Sequence, residues 1–157
     1  MQRRRTLLAS AILSAVIALA AASAAVAAGA ASPEEAVRTY LKAMQKGDFA
    51  TAYDMLTPDM VRNLSREAWA REQTAIMKVA DVQITSFHVF PARSEGEDRA
   101  RVPNLLRSKD KFINQTGADE HELYTVVRGA DGRWRIEQQE LVETDHVAKW
   151  FPAEAVP

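Results

Sequence analysis

No cysteine occurs in this sequence. Its absence excludes a disulfide framework, a thiol nucleophile and a lipid-modified cysteine alike, so the folded part must stand on its apolar core alone. Nor is there a surplus of positive charge. The 20 Lys and Arg are outnumbered by 21 Asp and Glu, and Arg3, Arg4 and Arg5 lie at the extreme N-terminus; without them 17 basic residues face 21 acidic ones, a net charge near −4. Nothing supplies the concentrated basic patch that a nucleic acid requires, and no nucleic-acid partner is expected. Internal repeats are missing. So are G-x-S-x-G, the P-loop and G-x-G-x-x-G, which leaves acyl transfer and nucleotide chemistry without local support.

Behind the three arginines runs an uncharged stretch from Thr6 to Ala31, rich in Ala, Leu, Val and Ile. This is the basic and apolar order of an export signal, and both Ala25-Val26-Ala27 and Ala28-Gly29-Ala30 satisfy its A-x-A cleavage pattern. The stretch is also long enough to span a bilayer, which takes about 20 residues, so an uncleaved membrane anchor is the alternative. The weakly hydrophobic, Ala-rich end with its cleavable sites favours removal. Arg4-Arg5-Thr6-Leu7-Leu8 resembles a twin-arginine signal with Leu where that motif prefers Phe, and the export route stays open. The expectation is an exported protein, periplasmic or secreted after cleavage, that meets a membrane only through an uncleaved N-terminal segment. Residues 1–31 are thus set apart, residues 32–142 form one domain and residues 143–157 a tail. Roughly 127 residues suffice for a core that buries about two thirds of the unfolded chain's surface.

The first half of that domain has helical spacing. Ser32-Pro33-Glu34-Glu35 combines a capping Ser, a Pro in the first turn and a capping-box Glu. Val37, Tyr40, Leu41 and Met44 then share one face. Gly47 supplies a left-handed stop, and Asp48 caps a second helix that aligns Phe49, Ala52, Tyr53 and Leu56. Thr57-Pro58-Asp59 starts a short third turn, and a further helix opens at Ser65 with Trp69, Gln73, Ile76, Met77 and Ala80 on its expected buried face. From Asp81 the period changes to two. Val82 to Phe90 alternates as a strand and Pro91 ends it. Ser94 to Asp98 turns the chain into a second strand, Arg99 to Leu106, where Pro103 argues for an edge or a bulge. A charged loop over Ser108 to Glu120 precedes a third strand, His121 to Arg128. Gly129-Ala130-Asp131-Gly132 then makes a hairpin into a fourth, Arg133 to Val142. Helices on one face of an antiparallel sheet of about four strands define an α+β domain.

The order of these elements carries a resemblance. Pro33-Glu34-Glu35, Tyr40, the Gly47-Asp48 break, Ala52-Tyr53, Leu56-Thr57-Pro58 and the closing Asp131-Gly132-Arg133-Trp134-Arg135-Ile136 resemble nuclear-transport-factor-2-like (cystatin-like, ketosteroid-isomerase-like) domains. The similarity runs from about Ser32 to Leu141 and is strongest to the exported bacterial branch whose function is unassigned. It implies a cone in which a strongly curved sheet wraps the long first helix and leaves a cavity at the wide end. It implies no single function, because enzymes, ligand binders and assembly modules share the fold.

Tyr40 stands from Gly47-Asp48 at a spacing similar to that of the oxyanion-binding tyrosine of ketosteroid isomerase. That chemistry pairs a carboxylate base with a Tyr and a protonated Asp. The base is missing here, since Val61-Arg62-Asn63-Leu64-Ser65 carries no acid, and the third strand offers Leu123 to Val127 in place of the second Asp. Tyr40 is therefore expected as a cone-lining core residue. His88, set among Phe87, Val89 and Phe90, would be an acid or base near neutral pH if it faced the cavity. Asp119-Glu120-His121-Glu122 lacks the spacing of a metal site and is expected to be a solvated loop; neither a metal nor a cofactor is expected. Tyr40, Trp69, Phe87, His88 and Trp134 are amphipathic aromatics suited to lining a ligand pocket. In the tail, Trp150 and Phe151 place two large aromatics where termini commonly fray. They serve either as a lid across the cone or as an anchor for a partner or homodimer.

The reading is an exported, non-enzymatic domain of the cell envelope that binds a small apolar ligand or a protein partner. Two alternatives stand beside it: an isomerase- or dehydratase-like enzyme using Tyr40 and His88, and a dimerising accessory module.

Overall fold

The computed structural model describes residues 29–153. The segment expected to be an export signal or anchor, up to its last three residues, lies outside them. Helix α1 spans Pro33–Lys46, with the Ser32 side chain accepting from the Glu35 N–H and Gly47 closing it at φ 71°. Helix α2, Phe49–Asp54, is capped by Asp48, whose side chain accepts from the Thr51 N–H. Helix α3 covers Arg66–Ala80 behind a Ser65 cap. Each start coincides with a residue whose side chain replaces a missing intrahelical bond.

Five strands follow: β1 Gln83–Val89, β2 Arg93–Ser94, β3 Arg99–Lys109, β4 Asp119–Arg128 and β5 Trp134–Leu141. They form one antiparallel sheet in the order β1-β3-β4-β5, with the short β2 also on β3. The expected four strands are thus present. The fifth arises because Pro91, which has no N–H to give a ladder, breaks the edge into β1 and β2. This break also explains Pro103. It lies in the middle of a central strand, paired with Leu123 of β4, and on its other side its carbonyl accepts from Phe90 at the gap. A central proline is tolerated where the neighbouring strand is itself interrupted. Register shifts at Ile84/Ser86 and Thr125/Val126 bend the sheet.

The sheet has two covered faces. Toward α1 it presents Ala100, Val102 and Leu106 of β3, Tyr124 and Val126 of β4 and Ile136 of β5, packed on Val37, Tyr40, Leu41 and Met44. Phe87 and Val89 of β1 join the same cluster, half-buried. The outer face buries Leu123 and Thr125 beneath the C-terminal segment, where a 3₁₀ turn (Thr144–His146) and one turn of helix α4 (Val147–Trp150) bring Val147 and Phe151 into the interior. Helix α3 differs from its expectation. Of the face predicted to be buried only Trp69 is; Ile76 is exposed, as is Val79 at 67 %. The cause is position, because α3 packs on α2 and not on the sheet.

At the other end the folded unit begins before Ser32. Ala30 is buried and exchanges two backbone hydrogen bonds with Trp134, at 3.0 and 2.9 Å. Cleavage after Ala27 would preserve this pairing, whereas cleavage after Ala30 would destroy it. A chain beginning at Ala31 is expected to be about 2 kcal/mol less stable in denaturant unfolding than one beginning at Ala28. Equal stabilities would mean that Ala30 is not part of the fold.

Candidate functional site

Alternation along β4 turns Glu122 and Tyr124 toward α1. Glu122, 2 % exposed, is met there by three donors. Its Oε2 accepts from Asn104 Nδ2 of β3 at 2.8 Å and from the Tyr124 hydroxyl at 2.9 Å, and its Oε1 accepts from Gln139 Nε2 of β5 at 2.7 Å. Above this group the Tyr40 ring of α1 lies edge-on to Tyr124, with centroids 6.3 Å apart. The result is a buried carboxyl, an amide pair and two phenols between helix and sheet.

Burial pushes the Glu122 carboxyl above the ordinary carboxylate range, against the opposing pull of its three hydrogen bonds. Burial, then the nearby Glu122, holds Tyr40 and Tyr124 well above the usual phenol value. Both hydroxyls therefore stay protonated, and that of Tyr124 donates to Glu122. The carboxyl oxygens already accept from groups of the protein itself, which leaves the cluster suited to joining strands and poorly suited to abstracting a proton from a substrate.

Sequence reasoning missed Glu122 by assigning Asp119 to Glu122 to a solvated loop. These residues instead form the first half of β4. Their side chains alternate across the sheet, so Glu120 and Glu122 are separated from Asp119 and His121, and among the described residues no three His, Asp or Glu groups converge to hold a metal ion. The buried state of Glu122 follows from pairing with Asn104, and that register is not visible in either strand alone.

The aromatics singled out from the sequence fall into separate places. Tyr40 and Phe87 share the α1 face, as described. Trp69 packs edge-on against Tyr53, 6.0 Å away, where α3 meets α2. Trp134 pairs with Ala30 near the hairpin end of β5. His88 lies on the outer face, 4.5 Å from Phe90, with the sheet between it and Tyr40. On that face Phe151 contacts Phe90 at 5.5 Å and His121 at 4.7 Å, while the half-buried Trp150 ring lies beside the Arg93 and Arg101 guanidinium groups at 5.0 and 5.5 Å. A cleft of about 280 Å³ opens between the sheet and this segment, lined in part by Glu120, His121, Leu141 and Val147.

A raised folded-state value for Glu122 means that the folded chain holds this proton more tightly than the unfolded one. Its contribution to stability is full at acid pH and is lost as pH rises through the raised value. Denaturant unfolding between about pH 4 and pH 7 should show this loss in the wild type and a flatter profile in Glu122→Gln, which cannot ionise. Parallel profiles would place the titration elsewhere.

No functionally curated protein matches the sequence. Solved structures do. A SEC-C motif containing protein from Rhodopseudomonas palustris is 22 % identical with a TM-score of 0.57, covering 73 % of this chain and 82 % of its own. A ketosteroid isomerase-like protein from Erwinia carotovora atroseptica is 17 % identical with a TM-score of 0.51, over 70 % of this chain and 93 % of that one. A domain of unknown function with a cystatin-like fold from Nostoc punctiforme is 18 % identical with a TM-score of 0.51, covering 78 % and 86 %. At these identities the likeness is one of fold. Residues 32–141 match the model of the NTF2-like N-terminal transpeptidase domain, and the chain belongs to that family.

Proposed function

We propose that this chain is a non-catalytic domain of the cell envelope that docks on protein, and that its partner is a transpeptidase. The observation that carries the reading is the loop between β3 and β4. The Asp110 carboxylate accepts from the backbone N–H groups of Phe112, Ile113 and Asn114 at 2.6, 2.7 and 2.9 Å, and these bonds hold it below its usual pKa. Buried Asn114 closes the loop from inside, donating to the Ser108 and Ala118 carbonyls and accepting from the Ala118 N–H. Lys111 N–H donates to the Ala80 carbonyl and fixes the loop to the end of α3.

The apolar tip held by this lattice points outward, with Phe112 63 % and Ile113 89 % exposed. Exposed Val79 and Ile76 lie on the adjoining turns of α3, and Lys111, next to Phe112 in the chain, pairs with Asp81 at 3.9 Å. A fixed backbone presenting apolar side chains loses little entropy on association, the usual condition of an interface hot spot. The complementary partner surface is an apolar groove.

Two features support the envelope and the transpeptidase: the N-terminal sequence has the order of an export signal, and the family description ties such domains to the N-terminus of transpeptidases. The non-catalytic reading is supported by the Glu122 cluster, whose carboxyl oxygens already accept from the protein. The isomerase-like alternative required Tyr40 and His88 on one side of the sheet, and they lie on opposite sides.

A photo-crosslinking residue at position 113, expressed in the host, should capture a protein that an active-site acylating transpeptidase probe also labels. With the crosslinking residue kept at position 113, Phe112→Asp with Val79→Asp should abolish the adduct while changing stability by no more than about 0.5 kcal/mol, as expected of surface positions. Adducts that never carry the acyl probe would refute the transpeptidase assignment.

A further inference from the structure

The outer face of the sheet holds the C-terminal segment the way a docking site holds a peptide. The Arg93 guanidinium donates to two consecutive carbonyls, Lys149 at 2.5 Å and Trp150 at 3.2 Å. Trp150 lies over the guanidinium groups, and Phe151 fills the gap between Phe90 and His121. The segment's own regular structure is one 3₁₀ turn and one helical turn, too short to persist unsupported. Its order comes from the fit between segment and face. That fit belongs to two surfaces and does not depend on their being in the same molecule.

The connection between them is short. The last ladder bond runs from Val142 N–H to the His121 carbonyl at 2.7 Å, and Glu143 is already extended at φ −59° and ψ 145°. Short hinges of this kind favour exchange of the segment they carry. Directly before the hinge, Leu141 is exposed on β5, which ends the strand order of the sheet. The bridges from Ala30 and Leu56 cover that edge only at Trp134 and Ile136, and an edge left open past that point is a template for another strand. Beneath the segment the fit is incomplete, because Arg101 Nε and Thr125 Oγ1 are buried without a hydrogen-bond partner.

We propose that two copies of this chain exchange residues 143–153, so that Trp150 and Phe151 of each seat against Arg93, Arg101, Phe90 and His121 of the other. The two β5 edges then meet at the hinge and cover Leu141, an apolar contact that the closed monomer lacks. Exchange uses the outer face and leaves the 110–114 loop free, so the failure of one proposal does not entail failure of the other.

The test is native mass spectrometry of the protein purified from its host envelope. The wild type should give a dimer whose fraction rises with concentration. Trp150→Ala with Phe151→Ala disables the segment, and Arg93→Ala with Arg101→Ala disables the site; the closed monomer and the exchanged dimer share these contacts, so neither pair alone separates the two states. Mixing the two should restore heterodimer above either homodimer, since one intact segment then meets one intact site. Leu141→Lys alters only an exposed side chain and guards against misfolding of the other variants. It should lower dimerisation about tenfold with thermal unfolding of the monomer unchanged. A wild type that stays monomeric at every concentration, a mixture without excess heterodimer, or a dimer indifferent to Leu141 would overturn the proposal.

Discussion

Three strands and a helix converge on one buried carboxyl. Glu122 takes a donor from β3, another from its own strand and a third from β5, while Tyr40 presses α1 onto the Tyr124 ring that supplies the second. A slip of one residue in β4 would bring His121 or Leu123 to this position and leave the buried amide of Asn104 without its acceptor. The cluster therefore fixes the register of the central strands and the seat of α1 together. A polar group in a core costs desolvation; here it selects one alignment among several that the apolar pattern of β3 and β4 would tolerate.

With that position filled, the α1 face of the sheet acts as a core, and the surfaces proposed for recognition lie elsewhere. Two are well developed. One is the 110–114 loop, where a network of side-chain bonds holds apolar groups outward. The other is the outer face, where basic and aromatic side chains hold the chain's own C-terminal segment. The loop lies at the end of β3 and β4 and the segment across their outer face, and the Glu122 cluster sets the alignment of both strands.

Much of this architecture was legible in the sequence, for local reasons. Ser32, Asp48, Ser65 and Gly47 marked the helix ends because capping is decided within a few residues. The Gly129 to Gly132 hairpin and the α+β order were equally local. What escaped depends on contacts between distant segments. Glu122 looked like a loop acid because its partners Asn104 and Gln139 stand 18 and 17 residues away. His88 and Phe87 alternate, but both parities of β1 are aromatic, so pattern alone did not say which faced α1. Ile76 and Val79 sit on a helix of ordinary amphipathic spacing that packs on α2 instead of the sheet. Pro103 pointed to an edge strand, and only the break opposite it at Pro91 makes a central place tenable.

The carboxyl of Glu122 and the hydroxyl of Tyr124 form a closed element of structure, buried from solvent. The Tyr124 hydroxyl proton reports on it directly, since a buried O–H bonded to a carboxyl exchanges with water only when the cluster opens. Proton NMR of the intact protein should show a resolved, slowly exchanging hydroxyl resonance for Tyr124 with cross-relaxation to the Glu122 side chain. A Tyr124 hydroxyl that exchanges at the rate of a solvent-exposed phenol would contradict the account and return the α1 face to consideration as an open site.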